Sequence, residues 1–269
     1  MTIASQSQNP SHGYNESSIG HKVHSELERL RRLEGALDPD TIGLLSDCGV
    51  RPDWRCLELG AGAGSIAYWL AGMCPEGSTT AVDLDTRFLD PGMARNLTIS
   101  EQDVLDCDFA PQSFDLIHTR ALLLHLPQRD EIYRRAAQWL APGGWLVTEE
   151  PVIIDDRESP YPEFSKMTRA VRTLWGMHGA DLRWSRSLPG LALRNGLTDL
   201  SVSTRIMQCG QGGAGDRHWT FMINQMRDPL IATGLLSPGE WQAGIDSFDD
   251  PAFIDISLVM ISVRARRPV

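Results

Sequence analysis

In the stretch CLELGAGAGSIAYWL, residues 56–70, glycine recurs at every second position, Gly60, Gly62 and Gly64, and an acid, Glu58, stands two residues ahead of the first. Glycine lets the backbone turn sharply and lets a ligand approach with no Cβ in the way, so this spacing suggests a backbone cradle for a small ligand. A dinucleotide pyrophosphate asks for G-x-G-x-x-G. Counted from Gly60 the last position is Ser65; counted from Gly62 it is Ala67, and the turn then falls late after the apolar run. A pyrophosphate is disfavoured on that spacing. Further along stand acids able to accept from a ligand, namely Asp83, Asp85, Asp103 and the pair Glu149–Glu150. Tyr14, His118, His125 and His178 are side chains that can move a proton. The five cysteines, at 48, 56, 74, 107 and 209, are odd in number and scattered, with no CxxC and no zinc-like spacing. No metal is expected, and reduced thiols of a cytoplasmic protein are the reading they suggest.

These groups need elements to hold them. Residues 16–36 read as a helix with a narrow apolar stripe of Val23, Leu27, Leu30 and Leu33, and Asp38-Pro39 reads as the cap and first turn of a second helix over 39–48. Short apolar strands follow at 54–59, 79–84, 97–101, 114–118 and 145–149, the last opened by a turn at Ala141-Pro142-Gly143-Gly144. Helical patterns lie between them at 66–73, 120–125 and 129–140. Strands alternating with helices at this spacing predict a mostly parallel sheet covered on both faces. In such a sheet a ligand sits beyond the strand C-termini where the strand order reverses, so the glycine turn stands at the site. After Pro151 the pattern becomes helical over 161–195 and 216–247, with strand-like alternation at 200–207 and 253–264. The fold expected is α/β and Rossmann-like: seven mostly parallel strands, helices on both faces, an N-terminal helical arm and helical insertions forming a cap. Its parts are an arm over residues 1–37, a core over 38–151 and a C-terminal part over 152–269 with insertions at 160–195 and 215–248.

With 269 residues, a formal charge of −10 and no basic stretch beyond the terminal RARRP, the chain is not built for nucleic acid. No run of about 18 apolar residues is present to span a membrane. The polar first residues read as a tail rather than a signal peptide, again pointing to the cytoplasm. A monomer or a homodimer is compatible with all of this.

The E-x-G-x-G-x-G pattern resembles the first motif of the class I S-adenosylmethionine-dependent methyltransferases, and the resemblance runs from about residue 40 to 150. It continues in AVDLD, SEQDVLD, SFDLIHTRALLLHL and LAPGGWLVTEEP, in order and at workable spacings. The resemblance implies a cofactor, S-adenosylmethionine, which becomes S-adenosylhomocysteine. Its implied ligands are Glu58, Gly60, Ala61, Gly62 and Gly64 in the turn; Asp83, with Leu84 and Asp85, at the ribose; Asp103 and Val104 at the adenine; and His118 and Arg120 after the fourth strand. Tyr14 and ELERL (26–30) resemble the opening of bacterial small-molecule methyltransferases of secondary metabolism. There the helix folds over the cofactor, a role that falls on Arg29 for the methionine carboxylate.

A sulfonium methyl is already electrophilic, so placing an acceptor in line is the main task, and proximity alone supplies about 7–11 kcal/mol. A general base adds about a hundred- to ten-thousand-fold and is dispensable for an amine or an electron-rich carbon. The candidate bases are Tyr14, His118 and His178. The insertions carry Trp175, Met177, Trp184, Trp219, Phe221, Met222 and Met226, which suit a flat or greasy small molecule. The expected substrate pocket comprises Tyr14, Glu150, Trp175, His178, Trp219 and Met222. HTRA after the fourth strand lacks the N/D-P-P-Y/F of base and glutamine methylation, and EEP lacks the Asp-Asn pair of the metal-dependent catechol type. No Pro-Cys nucleophile appears either. The reaction expected is methyl transfer to O, N or C of a small, aromatic natural product. The alternatives are a nicotinamide-dependent oxidoreductase, or a catalytically silent S-adenosylmethionine-binding member of the fold.

Overall fold

The computed structural model describes residues 25–152, 154, 157, 159–212 and 214–269. Tyr14, Val23 and the start of the helix expected over 16–36 lie outside them. The helices are α1 Glu26–Ser46, α2 Ser65–Met73, α3 Arg129–Trp139, α4 Pro162–Met177, α5 Leu188–Arg194, α6 Ala214–Gln225, α7 Arg227–Ala232 and α8 Pro238–Asp246. The strands are β1 Arg55–Leu59, β2 Ser78–Asp83, β3 Leu97–Glu101, β4 Phe114–Arg120, β5 Leu140–Val152, β6 Thr198–Cys209 and β7 Asp255–Arg266.

The strands form a seven-stranded sheet in the order β3-β2-β1-β4-β5-β7-β6. β1 to β5 run parallel, and β7 lies antiparallel between β5 and β6. Cys56 to Leu59 are buried without a break, as a parallel strand covered on both faces requires. On one face Leu45 of α1 and Ile66 and Leu70 of α2 pack with Leu116 and Val147. On the other, Ile132, Tyr133 and Ala136 of α3 and Leu188 and Leu191 of α5 pack on Leu57, Ile117, Leu146 and Val263. α4, α6, α7 and α8 share a separate core of Phe164, Met167, Leu174, Trp219, Met226, Leu230 and Phe253.

Two expectations are corrected. Pro39 lies inside α1 instead of starting a second helix. It offers no N–H to the carbonyl of Gly35, a defect that costs about 3 kcal/mol in a helix interior. Tertiary contacts outweigh it: Ala36, Leu37, Thr41 and Leu45 are buried, and Asp38 bonds Arg120 at 2.9 Å instead of capping a helix. The Ala141–Gly144 turn does not precede the fifth strand but lies within it. Phe114 faces Leu140 while Leu116 faces Trp145, so the intervening residues bulge out of the ladder. Gly143, at φ +77°, donates its N–H to the Arg267 carbonyl at 2.9 Å, and the Arg267 N–H reaches Gly144 at 2.8 Å. The bulge thus draws its hydrogen bonds from the end of β7. Among the described residues no helix is long and apolar enough to cross a membrane.

Candidate active site

The strand order reverses between β1 and β4, and a cavity of about 190 Å³ opens there, against the C-terminal ends of β1, β2, β3 and β4. The glycine turn forms its floor. Gly60, Gly62 and Gly64 have φ of +72°, +57° and +94°, the left-handed region where a side chain is strained. A Cβ on Gly64 would also stand 2.6 Å from the Tyr68 ring and 2.7 Å from Leu89. The amides of Gly60 and Ala61 both reach the Val82 carbonyl, and the Gly62 amide donates to Asp83 Oδ2 at 2.7 Å. Asp83 therefore fastens the turn to the end of β2 while lining the cavity. Asp85 donates its amide to Asp83 Oδ1 at 3.1 Å, and its carboxylate pairs with Arg87. Asp103 Oδ1 accepts from the Leu105 amide at 2.9 Å, and its buried Oδ2 has no hydrogen-bond partner among the described residues.

Behind the floor runs a buried charged chain. Glu58 and His118 are register partners on β1 and β4, and His118 Nδ1 lies 2.7 Å from Glu58 Oε2. His118 Nε2 lies 3.1 Å from Glu149 Oε1 on β5. Glu149 also accepts from Thr41 of α1 at 2.6 Å and from Ser262 of β7 at 2.7 Å. Thr41 accepts from Arg120 at 2.8 Å, and Arg120 holds Asp38. Burial alone would lower the His118 imidazole, but the Glu58 charge and the hydrogen bonds with Glu149 and Glu58 carry it up to about 9. Burial would raise Glu149, yet its bond to the His118 imidazolium brings it down to about 2. Glu58 stays above the usual carboxylate range because burial outweighs the pull of His118. The chain is an imidazolium clamped between two carboxylates, and it ties α1, β1, β4, β5 and β7 together.

The far wall belongs to α1, α4 and α6. Arg29, Leu30, Leu33, Glu34 and Leu37 of α1 line the cavity, as do Trp175 of α4 and His218, Trp219 and Met222 of α6. Arg29 is buried and grips Glu26 with two bonds of 2.6 and 2.8 Å. Glu34 accepts from the Ser65 amide at 3.2 Å, which satisfies an amide in the first turn of α2. Trp175 and Trp219 stack with ring centroids 6.3 Å apart and planes 27° apart. His125 and His218 line the same cavity; burial, and then the Arg29 charge, pull each imidazole down to about 3.

The structure thus gathers Arg29, Glu58, Gly60, Ala61, Gly62, Asp83, Leu84, Asp103, Val104, Arg120, Trp175, Trp219 and Met222 on one cavity. Gly64, Asp85, His118, Glu150 and His178 are not among its lining residues, and Tyr14 lies outside the described residues. Asp85 turns its carboxylate to Arg87, and Gly64, His118 and Glu150 are each drawn elsewhere for a physical reason. Gly64 stands behind the turn as the first cap of α2. His118, fully buried, is enclosed by its two carboxylates, so its placement as a base or cofactor contact is corrected to an internal bridge. Glu150, also fully buried, turns to the amides of Leu122 (3.2 Å) and Leu123 (2.7 Å), supporting the segment after β4 instead of facing substrate. His178 follows the last turn of α4. The sequence reading missed Glu34 and His218. His218 and Met222 stand one helical turn apart, a spacing that was legible.

Residues 56–144 match the family model described as a methyltransferase domain. The methyltransferase str3 of Strobilurus tenacellus is 28% identical over 144 residues, covering 51% of this chain and 50% of that protein. The trans-aconitate 2-methyltransferase of Rhodococcus jostii is 29% identical over 151 residues, covering 56% and 54%. The chain spans about half the length of these curated relatives. Among solved structures, the phosphoethanolamine N-methyltransferase 2 of Haemonchus contortus, in complex with phosphomonomethylethanolamine and S-adenosylhomocysteine, superposes with a TM-score of 0.58 at 17% identity. That superposition covers 86% of this chain and 53% of the other, and it shows a shared fold.

Proposed function

We propose that this chain, whose core is a class I S-adenosylmethionine-dependent methyltransferase domain, transfers a methyl group to a small, aromatic natural-product acceptor by direct in-line displacement, without a metal. The observation that carries this reading is the convergence of the glycine turn, Asp83 and Asp103 with the Trp175–Trp219 stack on one cavity at the switch point of the sheet. The residues fit an adenosyl cofactor. Asp103 Oδ2 is a buried acceptor with no partner among the described residues, suited to an amino group. Asp83 lines the cavity next to the turn it holds, where ribose hydroxyls would donate to it. Gly60 and Gly62 let the ligand approach the backbone, and Leu84 and Val104 add apolar surface.

When bound, the cofactor supplies an electrophilic methyl group on a sulfonium. The chain's part is to fix the acceptor in line and to keep water out, which α1 and the cap do with Leu30, Leu33, Leu37, Trp175, Trp219 and Met222. His118 faces its carboxylates and takes no proton from an acceptor. The absence of an Asp-Asn pair after β5 favours the metal-independent type.

Calorimetric titration with S-adenosylhomocysteine against NADH tests the reading. Binding of the former alone, with mass spectrometry showing one added methylene on an aromatic acceptor, is the expected result. Tight NADH binding without S-adenosylhomocysteine binding would overturn it.

A further inference from the structure

The acceptor half of the cavity holds a narrow set of groups. Its flat surface comes from the near-parallel Trp175 and Trp219. The arginines that line the cavity already hold carboxylates: Arg29 grips Glu26 through Nε and Nη2, and Arg120 pairs with Asp38 at 2.9 Å. The cavity is also lined by the carboxylates of Glu34, on the same helix as Arg29, and of Glu58, Asp83 and Asp103 at the strand ends. An acceptor with several negative charges would thus meet carboxylates, and guanidinium groups that are already paired. Such an acceptor is disfavoured, because a buried charge needs a partner of its own.

Three polar groups in this wall lack partners among the described residues, and His218 is the one that can both donate and accept. His218 is 8% exposed and lines the cavity, and its Nδ1 has no hydrogen-bond partner among the described residues. Burial and the charges of Arg29 and Arg32 keep the ring neutral down to about pH 3. A neutral imidazole carries one proton. An enclosed, unpartnered nitrogen is cheaper as a bare lone pair than as an orphaned N–H, so the proton belongs on Nε2. The indole nitrogens of Trp175 and Trp219 also lack partners among the described residues, so the aromatic wall is not polar-saturated.

We propose that the acceptor is a flat, uncharged aromatic that stacks against the Trp175–Trp219 pair and whose hydroxyl or carbonyl oxygen accepts a hydrogen bond from His218 Nε2. This names the acceptor class of the site and rests on the methyltransferase reading above. It also sets the site apart from acceptors such as trans-aconitate and phosphomonomethylethanolamine, the charged small molecules named for two of the similar proteins.

The test is calorimetry at pH 7 on the full chain saturated with S-adenosylhomocysteine, using 2-naphthol, naphthalene, 2-naphthoate and trans-aconitate as probes. The expected order puts 2-naphthol at least about tenfold tighter than 2-naphthoate, with no measurable trans-aconitate binding. His218→Phe keeps an aromatic ring but no donor; it is expected to weaken 2-naphthol about three- to tenfold, the worth of one hydrogen bond, and to leave naphthalene and S-adenosylhomocysteine unchanged. Should His218→Phe fail to fold, His218→Gln, which keeps a donor, replaces it and is expected to retain part of the preference, and the order of probes on the wild type still decides. The proposal is overturned if 2-naphthoate or trans-aconitate binds as tightly as 2-naphthol. It is equally overturned if 2-naphthol does not bind, or if its affinity ignores His218. If the wild-type chain does not bind S-adenosylhomocysteine at all, the reading beneath the proposal falls instead.

Discussion

Replacing Glu150 with glutamine should stabilise the protein increasingly as the pH rises. Glu150 is fully buried, one carboxyl oxygen accepts from the amides of Leu122 and Leu123, and the other has no partner among the described residues. Burial pushes this carboxyl from its ordinary 4.5 up to about 8, the neighbouring amides and Arg129 opposing only in part. Between those values the folded chain holds a proton that the unfolded chain releases, so stability falls as pH rises through the window. Each tenfold change in proton affinity is worth about 1.4 kcal/mol, so the loss approaches about 3 kcal/mol by pH 7 and about 5 kcal/mol once the pH passes 8. Glutamine keeps the accepting oxygen and matches the shape of the protonated acid, but it cannot ionise. Its buried amide N–H groups impose a pH-independent cost of about 1–3 kcal/mol. The informative quantity is therefore the difference between variant and wild type as a function of pH. In urea unfolding at pH 5, 6, 7 and 7.5, Glu150→Gln should gain about 3 kcal/mol on the wild type between the first and last conditions. The other titrating groups are common to both proteins and cancel. Parallel stability curves would refute the reasoning and place an ionised carboxylate at position 150.

Three further outcomes are expected. His118→Gln removes the cation between Glu58 and Glu149 and should cost about 3–5 kcal/mol at pH 7. The His118 contribution is fully present below 6.5 and is lost as pH rises through about 9, so urea unfolding should also show less pH dependence across that window in the variant. Gly64→Ala combines a left-handed φ of +94° with a contact to Tyr68 and should lower stability by about 2–3 kcal/mol; an unchanged melting temperature would contradict the geometry. Asp83→Ala should weaken S-adenosylhomocysteine by about 1–3 kcal/mol, since it unties the Gly62 amide and removes a cavity acceptor; calorimetry giving wild-type affinity would end its proposed ribose role.

Local pattern carried much of the fold into view, and long-range pairing carried the rest. The third strand spans 97–101 both in the sequence pattern and in the structure, and the glycine turn with Asp83 and Asp103 stands on the cavity because strand ends and turns are written in neighbouring residues. His118 and Glu150 are different. Each stands at or near a strand end, yet what it faces depends on partners 60 and 27 residues away. Register decides the first of these: Glu58 lies directly opposite His118 once β1 and β4 are adjacent. Pro39 misled for a related reason, since a local rule about proline gave way to Thr41 reaching Glu149, 108 residues on. His218 carried a readable spacing with Met222, but its neutrality comes from burial first and then from Arg29 and Arg32 on another helix, and no window on the sequence brings these together.

The placement of β7 between β5 and β6 has a consequence for the nascent chain. β1 to β5 are complete in the sequence by Val152, so the parallel half of the sheet, with the glycine turn at its centre, can assemble while α4 to α8 are still being translated. Among the described residues β6, finished by Cys209, pairs with β7 alone, which begins at Asp255. For the intervening stretch of synthesis β6 lacks its native partner, and β5 shows an open edge. That interval, set by topology, is when the emerging chain is most open to pairing with a second copy of itself.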